Sequence, residues 1–374
     1  MLALGIICEY NPFHKGHEFH INKAREITGA DTVVALMSGN FVQRGDVAIF
    51  DKNLRAKAAL NAGADLVLEL PTIMAMSTAE RFASSGVAIL DALGLVDYLA
   101  FGAESTDLDS LKEIAKILAF ENEDYKTALS SHLKEGLPFA VAREKALSSV
   151  FSGDAKLISS SNNILAVEYL KALLKLDSKI EPVLIKREGA DYNSSEVSSF
   201  MSATGIRKLI NEGSSLSGFV PDVLLPLYEK ARVHSLLNME KSIIANLCKM
   251  SLDEISSLPD VSEGLHNKIK KAAMESDSFD TLCDNIKSKR YAHSRIRRIL
   301  LYSYLGIKKE DLAAPQYIKI LGFNDKGQKL LNKAKQETKL PLVKNFNQIK
   351  ALQNPLAESI WKKELIFDRI YDLF

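Results

Sequence analysis

An α/β fold on a doubly wound parallel sheet is predicted by three features of this 374-residue chain. Short apolar runs alternate with amphipathic stretches over the first hundred residues, a turn bearing His and Gly follows the first run, and a mainly helical, lysine-rich region comes later. Such alternation implies parallel strands joined by crossover helices. The chain exceeds the length of one compact core, and its 47% of apolar residues is enough to fill more than one.

The runs Leu2 to Cys8, Thr32 to Met37, Asp65 to Leu70 and Tyr98 to Phe101 read as buried strands. Between them, Gly16 to Thr28, Lys52 to Ala62 and Ala79 to Leu93 space apolar residues three and four apart and read as helices. Further helical patterns span Leu108 to Glu121, Asp124 to Glu135, Ala140 to Val150 and Asn163 to Leu176, before a fifth apolar run at Pro182 to Lys186. The first domain is expected to cover residues 1–217 and the second residues 218–374. From Pro221 to Leu305 the pattern is mainly helical, broken at Leu258-Pro259-Asp260. Tyr317 to Gly322, Gln328 to Glu337 and Leu340 to Lys344 then read as strand, helix and strand, a small α/β unit.

The net charge of +1 conceals a division. Residues 281–350 hold sixteen Lys or Arg against five Asp or Glu, a net of +11, and the remainder carries −10. A basic region on an otherwise acidic chain is the footprint expected for a polyanion such as a nucleic acid; a merely solvated lysine surface is the alternative. Lys287, Lys289, Arg290, Arg295, Arg297 and Arg298 surround Tyr291, forming a candidate backbone-tracking surface with one ring for stacking. Cys8, Cys248 and Cys283 are far apart and form no CxxC pair, which argues against a disulfide framework or thiolate zinc site and fits a reducing cytoplasm. No segment approaches the ~20 apolar residues that span a bilayer, and the short apolar start lacks a basic leader, so secretion and membrane insertion are disfavoured.

Chemistry concentrates in the turn after the first run. Glu9-Tyr10-Asn11-Pro12-Phe13-His14-Lys15-Gly16-His17 places HxGH between strand and helix. Pro12 ends the strand, Gly16 lets the backbone approach a ligand, and the helix start offers unpaired N–H groups to an anion. His14 and His17 are the candidate catalytic residues, donating hydrogen bonds to oxygens that gain charge as an α-phosphate is attacked. A second phosphate grip is Ser202-Ala203-Thr204-Gly205-Ile206-Arg207, in which Ser202 or Thr204 caps a helix while its dipole and Arg207 neutralise β and γ phosphates. An ordinary capped surface helix is the alternative. Loops after the second, fourth and fifth strands, Met37 to Gly45, Phe101 to Glu104 and Lys186 to Ala190, should meet the HxGH turn at the carboxyl ends of the strands. In the first of these Ser38, Asn40, Gln43 and Arg44 are candidates for holding a carboxylate or phosphate, Arg44 foremost because a guanidinium binds either at two points. No carboxylate pair has metal-ligand spacing, which leaves the protein without a metal site of its own.

HxGH followed by SxTxIR resembles the HIGH-motif nucleotidyltransferase superfamily. With Met37-Ser38-Gly39-Asn40-Phe41-Val42-Gln43-Arg44-Gly45, Leu68-Glu69-Leu70-Pro71, Phe101-Gly102, Ser161-Asn162-Asn163-Ile164-Leu165 and Tyr317-Ile318-Lys319-Ile320-Leu321-Gly322-Phe323, the chain resembles the bacterial tRNA(Met) cytidine acetate ligase family over most of its length. The resemblance implies a nucleotidyltransferase-like first domain. It also implies an enzyme that makes acetyl-adenylate from acetate and ATP, releases pyrophosphate, and acetylates N4 of the wobble cytidine of elongator tRNA(Met). Mg²⁺ would then ride on the ATP phosphates. The ATP loop would comprise Ile7, Cys8, Glu9, Tyr10, Asn11, Pro12, Phe13, His14, Lys15, Gly16, His17, Glu18, Phe19 and His20, joined by Gly102, Asn162, Arg187, Ser202, Thr204 and Arg207. Asn162 suits an adenine edge or ribose, although helix capping competes and Asn163 offers the same amide one position on. Arg187 would approach phosphate, or else pair with Glu188. Ser161 stands where the family often has proline, and Ala103 where it often has serine. A small-molecule adenylyltransferase and a tRNA-binding protein without catalysis are the competing readings.

Overall fold

All five apolar runs become strands in the computed structural model, which describes residues 1–187, 200–262, 264–288 and 291–374. They are β1 (Ala3–Cys8), β2 (Thr32–Ser38), β5 (Leu66–Leu70), β6 (Tyr98–Ala103) and β7 (Glu181–Lys186). A two-residue-strand hairpin, β3 (Phe41–Val42) and β4 (Asp46–Val47), interrupts the expected alternation, and β8 (Ile318–Phe323) and β9 (Leu342–Val343) come from the far end of the chain. The main sheet runs β7-β6-β1-β2-β5-β8-β9. Every pairing in it is parallel except β5 with β8.

From β1 the chain steps outward through β2 to β5, then returns to the other side of β1 with β6 and β7. The reversal falls between β1 and β6, and that is where a doubly wound sheet opens its ligand crevice. Strand residues alternate between two cores. Val34 and Leu36 join one, under α3 (Ala79–Leu93) and α4 (Ser161–Lys175); Val33, Ala35 and Met37 join the other, under α1 (Lys15–Thr28) and α2 (Lys52–Asn61). Burial on both faces is the reason these strands read as continuous apolar runs.

Beyond β7 lie α5 (Ala203–Asn211), a helical region ending in α6 (His293–Leu305), then α7 (Asp325–Glu337) and α8 (Pro355–Leu373). The small α/β unit expected near residues 317–344 forms as β8, α7 and β9, and it extends the first sheet. Gly327 allows the junction: a Cβ there would lie 2.0 Å from the Asp65 carbonyl oxygen. At the hairpin, Gly45 has φ +72°, and a Cβ on it would lie 2.5 Å from the Arg298 backbone nitrogen. The hairpin therefore packs backbone to backbone against α6, a contact only glycine permits.

Candidate functional site

The histidine turn caps α1 with imidazoles. Gly16 N–H donates to His14 Nδ1 (3.0 Å) and His14 N–H donates to His17 Nδ1 (3.3 Å), a capping box in which both side chains are rings. Each Nδ1 is thus an acceptor, so each neutral ring carries its proton on Nε2. Both rings are held neutral. Burial, then the Arg187 and Arg207 guanidinium groups, push the His14 pKa down to about 4. Burial and the neighbouring His14, His20 and Arg187 carry His17 well below the ordinary histidine value. The two rings stack at 3.8 Å between centroids, and Tyr10 and Phe13 close around His17. No described residue accepts from either Nε2–H. Gly16 is needed because a Cβ would meet the His14 ring at 2.8 Å. Within the remaining turn, Cys8 Sγ donates to the Leu36 carbonyl and Asn11 Oδ1 accepts from Ile49 N–H, fixing the backbone; Lys15 N–H donates to Phe219, and Phe19 packs on Phe200.

Around this turn the structure gathers the other phosphate candidates. Arg207 Nη1 donates to the Asn11 carbonyl (2.8 Å) and Nη2 to Thr204 Oγ1 (3.0 Å), while Ser202 Oγ accepts from Gly205 N–H as the N-cap of α5. Gly102 leaves room for Arg187, whose Cγ would stand 3.1 Å from a Cβ there. Glu188 and the rest of that loop lie outside the described residues. Asn162 and Asn163 have different partners. Buried Asn163 accepts from the Glu104 and Ser105 amides, whereas Asn162 donates to Glu104 Oε1 and its side-chain carbonyl has no donor among the described residues. Glu104, which carried no role in the sequence reading, supplies the cap of α4 by accepting from Asn163 N–H and Ser160 Oγ.

The candidates from the loop after β2 divide. Asn40 is a correction: it is buried, accepting from Lys52 N–H and donating to Asp368, so neither amide atom is open to substrate. Ser38 is fully buried at the strand end. Gln43 donates its side chain to the Ser77 carbonyl and its backbone N–H to Glu9 Oε1 (2.9 Å). Arg44 alone is exposed, reaching Ser161 Oγ at 3.4 Å across the mouth of the crevice. Behind the loop sits Arg55, 0% exposed. It donates to the carbonyls of Phe50 (2.9 Å), Glu9 (2.5 Å), Ser38 (3.2 Å) and Gly39. One guanidinium thus ties the histidine loop to the hairpin loop. Nothing in the sequence marks it, since a single arginine on a helix looks solvated.

Beneath the hairpin, Lys52 pairs with Glu69 (2.7 Å) and Asp368 (2.5 Å), and Lys319 pairs with the other Glu69 oxygen (2.5 Å). Glu364 accepts from the Thr72 N–H and hydroxyl. Burial and the Glu69 charge push the Glu364 pKa up to about 7.

The basic region is also redistributed. Lys287 is exposed, and Lys289 and Arg290 lie outside the described residues. Arg295 donates to the Asp260 carbonyl and Ser262, Arg297 pairs with Asp46 (2.9 Å) and donates to Gly45 O, and Arg298 is 5% exposed beside Asp260. These three arginines fasten α6 to its neighbours, which corrects their assignment to an open RNA-facing surface; Tyr291 is buried as well. Exposed charge lies instead on and around α7, at Lys326, Lys329, Lys333, Lys335, Lys339 and Lys344. A cavity of about 210 Å³ lined by Asp46, Arg207, Asn211, His234 and Arg297 joins the phosphate grip to α6. A larger one of about 440 Å³ lies farther along α4. Among the described residues no cluster of three or more His, Cys, Asp or Glu is placed to hold a metal ion, and no helix is long and apolar enough to cross a membrane.

Comparison with known proteins extends this geometry to a family. The family model described as HIGH Nucleotidyl Transferase matches residues 1–374. The chain is 44% identical to a tRNA(Met) cytidine acetate ligase of Thermoanaerobacter sp. (strain X514), covering 100% of this chain and 95% of the relative. It is 42% identical to that of Clostridium novyi, covering 98% and 97%. Thermotoga maritima TmcAL bound with alpha-thio ATP superposes with a TM-score of 0.90 at 34% identity, over 98% of this chain and 92% of that one. An HxGH turn at the switch point, an arginine docked on it from a later helix, and likeness along the full chain lead to one conclusion: the chain belongs to the HIGH nucleotidyl transferase family and, within it, to the tRNA(Met) cytidine acetate ligases.

Proposed function

We propose that this protein is an ATP-dependent ligase that converts acetate to acetyl-adenylate with release of pyrophosphate, and then acetylates N4 of the wobble cytidine of elongator tRNA(Met). The observation that carries the reading is the pair of neutral histidines beside Arg207 whose Nε2–H groups have no acceptor among the described residues. Attack of an acetate oxygen on the α-phosphorus places charge on the non-bridging oxygens and on the departing pyrophosphate. Fixed N–H donors stabilise the first, and Arg207 with Arg187 the second. Neutral rings suit this role, because they donate without needing to gain or lose a proton.

In this reading Gly102 and Asn162 hold the nucleoside, Ser202 and Thr204 frame the phosphates, and Arg44 guides acetate. Mg²⁺ arrives on the ATP phosphates, and the setting is the cytoplasm. Residues 218–374 carry the tRNA contacts, with the lysines on and around α7 and Lys287 as the exposed positive face. The test supplies purified protein with ATP, acetate and elongator tRNA(Met) and measures acetylcytidine in the tRNA. Product dependent on all three is expected. No product, or pyrophosphate release that needs a phosphorylated small molecule and no carboxylate, would overturn the reading in favour of a small-molecule adenylyltransferase.

A further inference from the structure

We infer that the Glu9 carboxylate accepts the proton released by the cytidine amine when it attacks the acetyl group. The inference rests on the function proposed above and concerns its second half. In that step the N4 lone pair bonds to the acetyl carbon. The bond from that carbon to the phosphate oxygen then breaks and AMP leaves with the electron pair. One N4 proton must go elsewhere, and it passes to Glu9 and then to water, leaving the amide N–H.

The histidines are poorly placed to take that proton. Each Nδ1 already accepts a backbone N–H, and each Nε2 already bears hydrogen. The carboxylates around the crevice are mostly engaged. Glu104 is held by Asn162, Ser160 and the Asn163 N–H, and Asp46 is held by Arg297 and the Val47 N–H. Glu69 is locked between two lysines below the hairpin. Glu9 differs. It stands at the carboxyl end of β1, half-buried, with Oε1 fixed by the Gln43 N–H (2.9 Å) and, among the described residues, no hydrogen-bond donor on Oε2. Its backbone is pinned in turn by Arg55, so a carboxylate with one bound and one open oxygen is presented next to the histidine turn.

Its surroundings tune it for this work. Burial lifts the Glu9 pKa above the usual carboxylate value, while the Gln43 N–H and the Arg207, Arg55 and Arg44 guanidinium groups pull it back without cancelling the rise. Tyr169 from α4 and Cys8 also face it, and burial keeps both uncharged. A carboxylate of raised basicity with one open oxygen suits the work of a general base. A carboxylate is also a natural acceptor for the N4 amino group of cytosine.

Glu9→Gln tests this, because it keeps an oxygen for the Gln43 N–H and removes the basic site. Acetate-dependent ATP–pyrophosphate exchange reads the first half-reaction, and single-turnover transfer to tRNA from adenylate formed in situ reads the second. Transfer should fall by about 10²–10⁴-fold, the worth of a positioned base, and by at least about tenfold more than any loss in exchange that follows from the place of Glu9 in the ATP loop. In the parent enzyme transfer should rise with pH to a plateau; the variant should lose that limb, and Glu9→Asp should regain it at a reduced rate. Equal losses in both half-reactions for Glu9→Gln, or transfer unchanged with the pH limb intact, would overturn the assignment. Absence of acetate-dependent exchange in the parent protein is a separate result, which removes the proposed function and the assignment with it.

Discussion

The histidine turn and the ion network under the hairpin are both tied to residues 38–40, and they treat polar groups in opposite ways. In the turn, Nε2–H of His14 and His17 and one oxygen of Glu9 have no described partner. In the network, Lys52, Glu69, Lys319, Asp368 and Glu364 are paired or hydrogen-bonded with one another or with Asn40 and Thr72. The first arrangement keeps donors ready for a ligand that brings the matching charge. The second is an internal fastener between the catalytic sheet and α8. Of these two regions, the one where chemistry is proposed keeps polar groups without a described partner, and the neighbouring fastener is fully paired.

Breaking the fastener should have the largest effect. Lys52→Met leaves Asp368 and one oxygen of Glu69 without their cation, and removal of one partner from a buried pair costs about 3–5 kcal/mol. Urea unfolding should show that loss; a change below about 1 kcal/mol would mean that Lys52 does not fasten the region at all. Next is the open side. His17→Ala should reduce acetate-dependent exchange by about 10²–10³-fold. It should cost only about 1 kcal/mol in stability for the lost cap, and tRNA affinity by filter binding should stay near that of the parent. If tRNA binding fell while exchange held, the division between turn and basic region would be wrong.

A third test uses pH on the fastener. Glu364 is protonated more readily folded, near pH 7, than unfolded, near the ordinary glutamate value. The native state therefore binds more protons across that window, and stability falls as pH rises through it. Glu364→Gln should flatten this fall, as read from urea midpoints between pH 5 and 8; an unaltered slope would place the titration elsewhere. The smallest effects belong to the surface. Lys329→Ala and Lys333→Ala on α7 should each weaken tRNA binding modestly and reduce the slope of log affinity against log salt by about one. Arg298→Met should lower stability instead, and an effect of Arg298 on the salt slope alone would reverse that contrast.

Much of this contrast was visible in the chain itself. The five strands announced themselves because both faces of a parallel sheet are buried, and HxGH and SxTxIR mark helix starts whose caps are encoded locally. Long-range pairing was not visible. A lysine on a surface and a lysine in a buried triad are the same letter, so Lys52 and Lys319 carried no signal, and Arg55 carried none either. Arg295, Arg297 and Arg298 looked like an RNA-facing cluster because charge density along a sequence does not say which side of a helix meets the hairpin. Asn40 looked like a substrate ligand because its loop position was right, while its partners, Lys52 and Asp368, come from elsewhere in the fold.

The antiparallel pairing of β5 with β8 bears on how the protein is made. Leu66, Val67 and Leu68 are fully covered in the finished sheet, and β8 lies more than two hundred residues further along the chain. While the ribosome is still translating the helical region, the nascent sheet has an open apolar edge able to recruit any extended strand nearby. Release of the last hundred residues is what closes it. A fragment ending at residue 217 would carry both phosphate motifs with five of the seven sheet strands and still expose a sticky β5 edge, so the catalytic machinery of this enzyme depends on the later part of the chain as well.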